Sequence, residues 1–224
     1  MITISEWNEM SGKEQTLWLE DNCQVNGRGC PRKPVHGVGI NDAHYCTRPS
    51  LHGVMVRCPA YMAWISMLAR SYSANYQERR PTYFGVTVCN AWHSFMEFRC
   101  WWIEHYVNGF HLDKDLLSDA RLYSPNTCIF VPQWLNSFTT DRRSARGGFP
   151  IGVDLYSATG KFRATCRNTE AGIKGHLGYF DTPEEAHLAW RTRKLELALE
   201  LKPKMDSIDL RIYPRVVEII NNAR

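Results

Sequence analysis

His111, Asp113 and Asp115 stand two residues apart in His111-Leu112-Asp113-Lys114-Asp115-Leu116-Leu117. In an extended strand, side chains two apart share a face. An imidazole and two carboxylates on one strand face make a plausible seat for one hard divalent cation beside a general base. A solvated hairpin edge with its charges on the wet side would show the same pattern. A polar turn, Ser118-Asp119-Ala120-Arg121, follows, and Tyr123-Ser124-Pro125 leads into a second apolar run that ends near Asn136.

A second set of candidate residues is basic and lies nearer the C-terminus. Residues 151–156 and 161–167 read as strands joined by Ser157-Ala158-Thr159-Gly160, and 176–180 as a third strand after a loop containing Lys174. Alternation puts Phe162, Ala164 and Cys166 on one face, with Lys161, Arg163, Thr165 and Arg167 on the other. Thr182 as N-cap, Pro183 at the first helical position and Glu185 three residues on predict a helix with a capping box. Ala186, Ala189, Trp190 and Leu197 give that helix an apolar stripe to lay on the sheet. One face is then covered, and the other displays Lys161, Arg163 and Arg167. A small sheet with a basic open face can enter the major groove of double-stranded DNA, where arginine reads guanine. An ordinary solvated face is the plainer alternative. Just upstream, Arg142, Arg143 and Arg146 precede Gly147-Gly148, a flexible basic linker over 141–150 that could track phosphates.

The elements that must hold these residues are mixed. Tyr61, Trp64, Ile65, Leu68 and Tyr72 form a helical stripe that starts at Pro59. Tyr76 to Pro81 breaks the chain, 82–88 reads as a short strand, and 91–106 as one helix with Trp92, Phe95, Met96, Arg99, Trp102 and Ile103 on related faces. Those aromatics could stack on bases, but at helical spacing they belong to a core. A short helix is predicted over 14–20, loop over 22–34, and a strand plus terminal helix after Lys204. Gly37-Val38-Gly39-Ile40 is too short for a dinucleotide fingerprint.

Composition bounds the rest. Of 224 residues, 44% are hydrophobic and 12% aromatic, which argues against wholesale disorder. Residues 1–140 carry no net charge, so the whole +4 falls in 141–224 and points to a polyanionic partner for that part. No apolar run is long enough to span a bilayer, and the first residues lack a basic stretch followed by an apolar core, so a cytoplasmic protein without a membrane partner is expected. The eight cysteines include no Cys-x-x-Cys pair. Cys23 and Cys30, completed by Cys46, Cys58 or His36, would make an irregular structural zinc site; reduced, mostly buried thiols are the favoured reading.

Two stretches carry a resemblance. Gly152-Val153, Gly160-Lys161-Phe162-Arg163-Ala164, His176-Leu177-Gly178-Tyr179-Phe180-Asp181-Thr182-Pro183-Glu184-Glu185-Ala186 and Ala189-Trp190 resemble the DNA-binding domain of plant ethylene-response factors. Phage homing endonucleases of the HNH class carry that domain at their C-terminus. Leu112-Asp113-Lys114-Asp115, a turn, then Tyr123-Ser124-Pro125-Asn126-Thr127-Cys128-Ile129-Phe130 is similar to the catalytic segment of the same phage proteins. Trp64, Met67-Leu68, Tyr83, Val88, Trp92, Phe95 and Phe98 look like their N-terminal half, so the resemblance covers about 37–200.

That resemblance implies an α+β chain: a ββα-metal (HNH) nuclease-like domain over 1–140, the basic linker, a sheet-plus-helix DNA-binding domain over 151–202, and an extension over 203–224. It implies hydrolysis of DNA with one Mg²⁺ or similar divalent cation. Asp113 matches the metal-binding acid, Lys114 stands where the histidine is expected, Thr127 where the asparagine is expected, and Asn136 lies near the helix position that completes the metal site. A lysine is a poor base near neutral pH unless desolvated. His111 on the Asp113 face could supply the imidazole instead, and Asn126 lies one residue from the expected asparagine. The alternative is a degenerate nuclease fold that binds DNA or a host protein as a regulator or inhibitor.

Overall fold

The computed structural model describes residues 2–24, 33–140, 148–168 and 172–223. It is a mixed α+β chain with small sheets. The described chain falls into two compact units, Met1–Phe130 and Val131–Arg224. That division lies upstream of the expected linker. Most of the linker, including Arg142, Arg143 and Arg146, lies outside the described residues.

The first unit opens with two short helices, α1 (Ile4–Glu9) and α2 (Gly12–Asn22). Each starts in a complete capping box, Thr3 with Glu6 and Ser11 with Glu14, which satisfies backbone N–H groups that helix geometry leaves orphaned. A hairpin, β1 (Ser50–Leu51) with β2 (Val54–Met55), precedes α3 (Pro59–Tyr72), which begins on Pro59 as the sequence predicts. The helix breaks at Ser73, whose extended backbone (ψ 114°) ends α3 and opens a separate short helix, α4 (Ala74–Arg79). Tyr76 therefore lies inside a helix, and the second break comes at Arg80, the residue before Pro81. A 3₁₀ turn at Pro81–Tyr83 then shortens the expected 82–88 strand to β3 (Thr87–Val88).

The single helix expected over 91–106 is two pieces. A 3₁₀ turn (Asn90–His93) ends at Ser94, whose hydroxyl accepts from the Glu97 N–H and starts α5 (Phe95–His105). Asp42 fixes the same corner, accepting from the Ser94 hydroxyl at 2.6 Å and the Met96 N–H at 2.9 Å. The aromatics of α3 and α5 form the core, with Trp64, Trp92, Phe95, Phe98 and Trp102 buried together. The Trp64 indole N–H donates to the Trp92 carbonyl at 2.8 Å. These rings pack on one another, which fits core rather than base stacking.

The chain then forms β4 (His111–Asp113), β5 (Leu122–Tyr123) and β6 (Ile129–Val131). β5 runs parallel to β3, and β4 pairs with β6. Strand β4 ends at Asp113, so Asp115 lies beyond the strand and the expected three-residue face is only His111 and Asp113.

The second unit contains α6 (Gln133–Thr139) and an antiparallel meander of β7 (Val153–Tyr156), β8 (Lys161–Arg167) and β9 (Lys174–Phe180). Helix α7 (Pro183–Asp206) lies across it, and α8 (Ile212–Asn222) packs on α7. The predicted cap is present in full: Thr182 accepts from the Glu185 N–H, and Glu185 reaches back to the Thr182 N–H. Helix α7 runs through Pro203 because that residue is exposed, so water can satisfy the carbonyl its ring frees. The strand expected around Ile208 to Ile212 does not form. Leu210 is exposed, while Ile212, Val216 and Ile220 are buried at a spacing of four, a helical repeat.

Candidate functional site

The sheet of the second unit sorts its side chains as alternation predicts. Val153 and Ala164 pack under Ala186 of α7, with Phe162, Leu177, Phe180 and Ala189 around them. The Trp190 ring presses so closely on the backbone at Gly152 that a Cβ there would meet Cδ1 at 2.2 Å. The other face carries no helix. Cross-strand register places Asp154 opposite Arg163 and Tyr156 opposite Lys161 on one side of β8. On the other side, Tyr179 lies opposite Arg163, His176 opposite Thr165, and Lys174 opposite Arg167. A register shift between Ala164 and Thr165 keeps His176 and Lys174 on the Tyr179 face despite their odd spacing.

Charge on this face is partly spoken for. The Arg163 Nε and Nη2 groups donate to Asp154 Oδ1 and Oδ2 at 2.8 and 2.9 Å, a two-pronged pair. That bond holds the Asp154 carboxyl below the usual carboxylate range and raises Arg163 correspondingly. Lys161 lies 3.1 Å from Asp181. Arg167 and Lys174 have no ion-pair partner among the described residues. The aromatics form a row: Tyr156 and Tyr179 at 5.0 Å, His176 and Tyr179 at 4.8 Å, and the Arg163 guanidinium 5.8 Å over the Tyr156 ring. Asp154, Tyr156, His176 and Tyr179 belong to this face and are missing from the sequence-based candidates. Extending the alternation of β8 to its two neighbours would have found them.

The hairpin of the first unit is built differently from the expectation. His111 is exposed at the start of β4. Asp113 Oδ1 accepts the N–H groups of Asp115 at 2.8 Å and Leu116 at 2.7 Å, which turns the chain out of the strand. Burial pushes the Asp113 carboxyl above its ordinary value, against the pull of those two N–H groups. Lys114 is buried, 5% exposed, with its ammonium paired to the exposed Asp115 carboxylate and 5.8 and 5.7 Å from the Tyr83 and Tyr123 rings. Thr127 is also buried. Its hydroxyl donates to the Leu122 carbonyl at 2.7 Å and accepts from the Ser124 N–H at 3.0 Å, closing the Tyr-Ser-Pro turn. Asn126 is exposed in that turn, and Asn136 lies on α6 in the second unit.

Magnesium is commonly held by one or two carboxylates together with water and substrate phosphates. Asp113 fits such a sparse donor set through Oδ2, which lacks the two N–H partners of Oδ1. Asp115 fits less well, because its carboxylate already faces the Lys114 ammonium. Among the described residues, no three His, Cys, Asp or Glu side chains gather into a metal-holding group. Of the zinc candidates, Cys58 lies in the core with the Tyr45 hydroxyl 3.3 Å from its sulfur, and Cys30 lies outside the described residues. Cys23 and Cys46 are joined through the backbone at 2.6 Å. Cys128 is buried, and its thiol is pushed up to about 12, an inert group at neutral pH. No described helix is long and apolar enough to cross a membrane. No protein-family model matches the chain, and comparison with curated proteins and with solved structures finds no match.

Proposed function

We propose that this chain binds double-stranded DNA through the open face of the β7–β9 sheet. The observation that carries the reading is the segregation of that sheet: α7 seals one face, while Arg163, Arg167, Lys174, His176, Tyr156 and Tyr179 crowd the other. Arg167 and Lys174 supply charge for phosphates, and the arginine and aromatic row supplies groups that can meet base edges. The resemblance to ethylene-response-factor domains points the same way.

Binding of the full chain to a duplex of about 20 bp, followed by fluorescence anisotropy from about 50 to 200 mM salt, tests this. Arg167→Ala and Lys174→Ala should each make the log–log salt slope shallower by about 0.9. Arg193→Ala, on the helix covering the opposite face, should leave the slope unchanged. Absence of duplex binding at about 50 mM salt, where the electrostatic contribution is strong, overturns the reading.

A second reading, a divalent-metal-dependent HNH-type endonuclease, is supported by chain order: strand β4, a connection that includes the short strand β5, then β4's partner β6 and helix α6 directly after. In that reading Asp113 would be the carboxylate that holds the cation. The cation would supply charge for the pentacovalent phosphate and the leaving oxygen. His111, exposed on the Asp113 side of β4, is the imidazole able to take a proton from the attacking water. Lys114, pinned between two tyrosines, is not a base. Nicking of supercoiled plasmid with Mg²⁺ or Mn²⁺ should therefore be lost in Asp113→Ala and His111→Ala and survive in Lys114→Met. No cleavage by wild type leaves the DNA-binding reading alone.

A further inference from the structure

Arg163 stands at the centre of the open face, on the middle strand, and it is already engaged. A guanidinium has two edges that can present a pair of parallel N–H groups: the side edge, from Nε and Nη2, and the end edge, from Nη2 and Nη1. Asp154 takes the side edge with both carboxylate oxygens, at 2.8 and 2.9 Å. The pair is fixed by strand register, since Asp154 and Arg163 are direct cross-strand partners. The guanidinium also lies over the Tyr156 ring, which restricts its rotation further. About two-fifths of each side chain is open to solvent, with relative exposures of 38% for Arg163 and 40% for Asp154, so the pair is not sealed into a core.

We propose that Asp154 is a positioning residue that clamps Arg163 by its side edge, so that the end edge meets the O6 and N7 acceptors of a single guanine. This inference rests on the DNA-binding reading above. The clamp separates two jobs on one face. Arg167 and Lys174, with no carboxylate at ion-pair distance among the described residues although the Lys174 charge reaches Asp154, bind phosphates of any sequence. Arg163, neutralised by Asp154, adds little to non-specific attraction and acts mainly as a reader. A free arginine at this position could reach phosphates and bases alike and would discriminate less. The carboxylate also disfavours sliding: off its site, the pair brings a negative charge towards the phosphate backbone with no base contact in return.

The test selects sequences from a random 20-bp duplex pool (about 20 bp, long enough to span an interface of this size) with the full-length wild type, Asp154→Ala, Asp154→Asn and Arg163→Ala. Wild type should enrich guanine at one position, and Arg163→Ala should lose that enrichment. Asp154→Ala should lower the preference for guanine there by at least about fivefold, the low end for one bidentate base contact. Its affinity for unselected duplex should meanwhile rise, because a carboxylate has left the face. Asp154→Asn keeps one acceptor and should fall between, which holds the test open if the alanine variant folds poorly. A purely structural ion pair predicts the opposite pattern: weaker binding to every sequence with the guanine preference intact, and that result overturns the proposal while leaving DNA binding standing. Failure of wild type to bind the pool at all overturns both.

Discussion

Lys194 offers the sharpest test of the forces that hold the second unit together. It is buried on α7, its ammonium lies 3.5 Å from the centroid of the Phe138 ring, and burial pushes its pKa down to about 8. An unfolded lysine titrates near about 10.4. Below the folded value both states are protonated, and the native state bears the whole cost of the desolvated charge, about 3 kcal/mol. Between the two values the unfolded chain holds the proton that the native chain has released, so stability rises with pH across that window. The Phe138 face acts against burial, since a desolvated cation over a ring is worth about 2 kcal/mol. Burial therefore wins by about 1 kcal/mol where the ring gives its full value of about 2 kcal/mol, which brings the folded value back towards the unfolded one, and by about 3 kcal/mol where the ring gives nothing. Lys194→Met keeps most of the stem and its contact with Phe138 while deleting the charge. The variant should be more stable than wild type by about 1–3 kcal/mol near pH 6, and the difference should vanish above about pH 11, where both states have lost the proton. Cys166, whose thiol burial raises, contributes to both proteins and largely cancels. Urea unfolding at a series of pH values measures the difference, with hydrogen exchange on α7 peptides assigning the transition to this unit. Greater stability of wild type at pH 6, declining as pH rises, would show that the ring outweighs burial and would refute the reasoning.

Two further pairs of substitutions separate backbone from packing and stem from charge. Gly152 and Gly160 both have positive φ, at 83° and 71°, but a Cβ at Gly152 would strike the Trp190 ring while Gly160 is open. Gly160→Ala should cost about 1 kcal/mol from conformation alone, and Gly152→Ala should cost about 1–3 kcal/mol more from overpacking, read as faster hydrogen exchange in β8; equal costs would mean that α7 does not press on the sheet at Gly152. Lys114→Ala should destabilise the first unit by about 1–3 kcal/mol through the space left beside Tyr83 and Tyr123, with Lys114→Met recovering most of it in urea unfolding. No large penalty for a stranded charge is expected, because the partner carboxylate of Asp115 is 70% exposed and hydrates when left alone.

How legible each unit was depended on whether the deciding interactions were local. The β7–β8–β9–α7 module was readable except at the start of β9, which takes in Lys174 from the expected loop because a register shift extends the pairing with β8. Its turn, its period-two strands and the Thr182–Glu185 capping box are signals within four to eight residues of one another, and burial of one face agrees with them. Local capping signals were also present at Thr3 with Glu6 and Ser11 with Glu14, and reading them would have placed α1 and sharpened α2. The break at Ser94 was harder, because the side chain that fixes the corner, Asp42, comes from 52 residues away. The α8 segment misled for another reason. Ile208, Leu210 and Ile212 alternate over too few residues to tell a strand from a turn, and the spacing of four from Ile212 to Ile220 settles the matter only when read further along the chain.

The His111–Asp115 hairpin shows the limit of reasoning from spacing. The shared-face argument assumed that the strand ran through Asp115. It stops because an aspartate can accept the backbone N–H groups two and three residues ahead, and Asp113 does so. Once the chain turns, Lys114 faces inward and Asp115 outward. A lysine can take an inward position when its ammonium finds a carboxylate and aromatic faces, as it does here. Thr127 follows the same logic, since its hydroxyl closes the 124–127 turn rather than holding an imidazole. The positions at which the resemblance would place His and Asn are thus occupied by a lysine packed between tyrosine rings and a threonine that fixes the local backbone. In the nuclease reading, Asp113 Oδ2 and the exposed His111 imidazole are the groups at this hairpin proposed to carry the chemistry. For that reason the His111→Ala and Lys114→Met pair tests the nuclease reading more directly than Asp113→Ala, which would also unseat the turn.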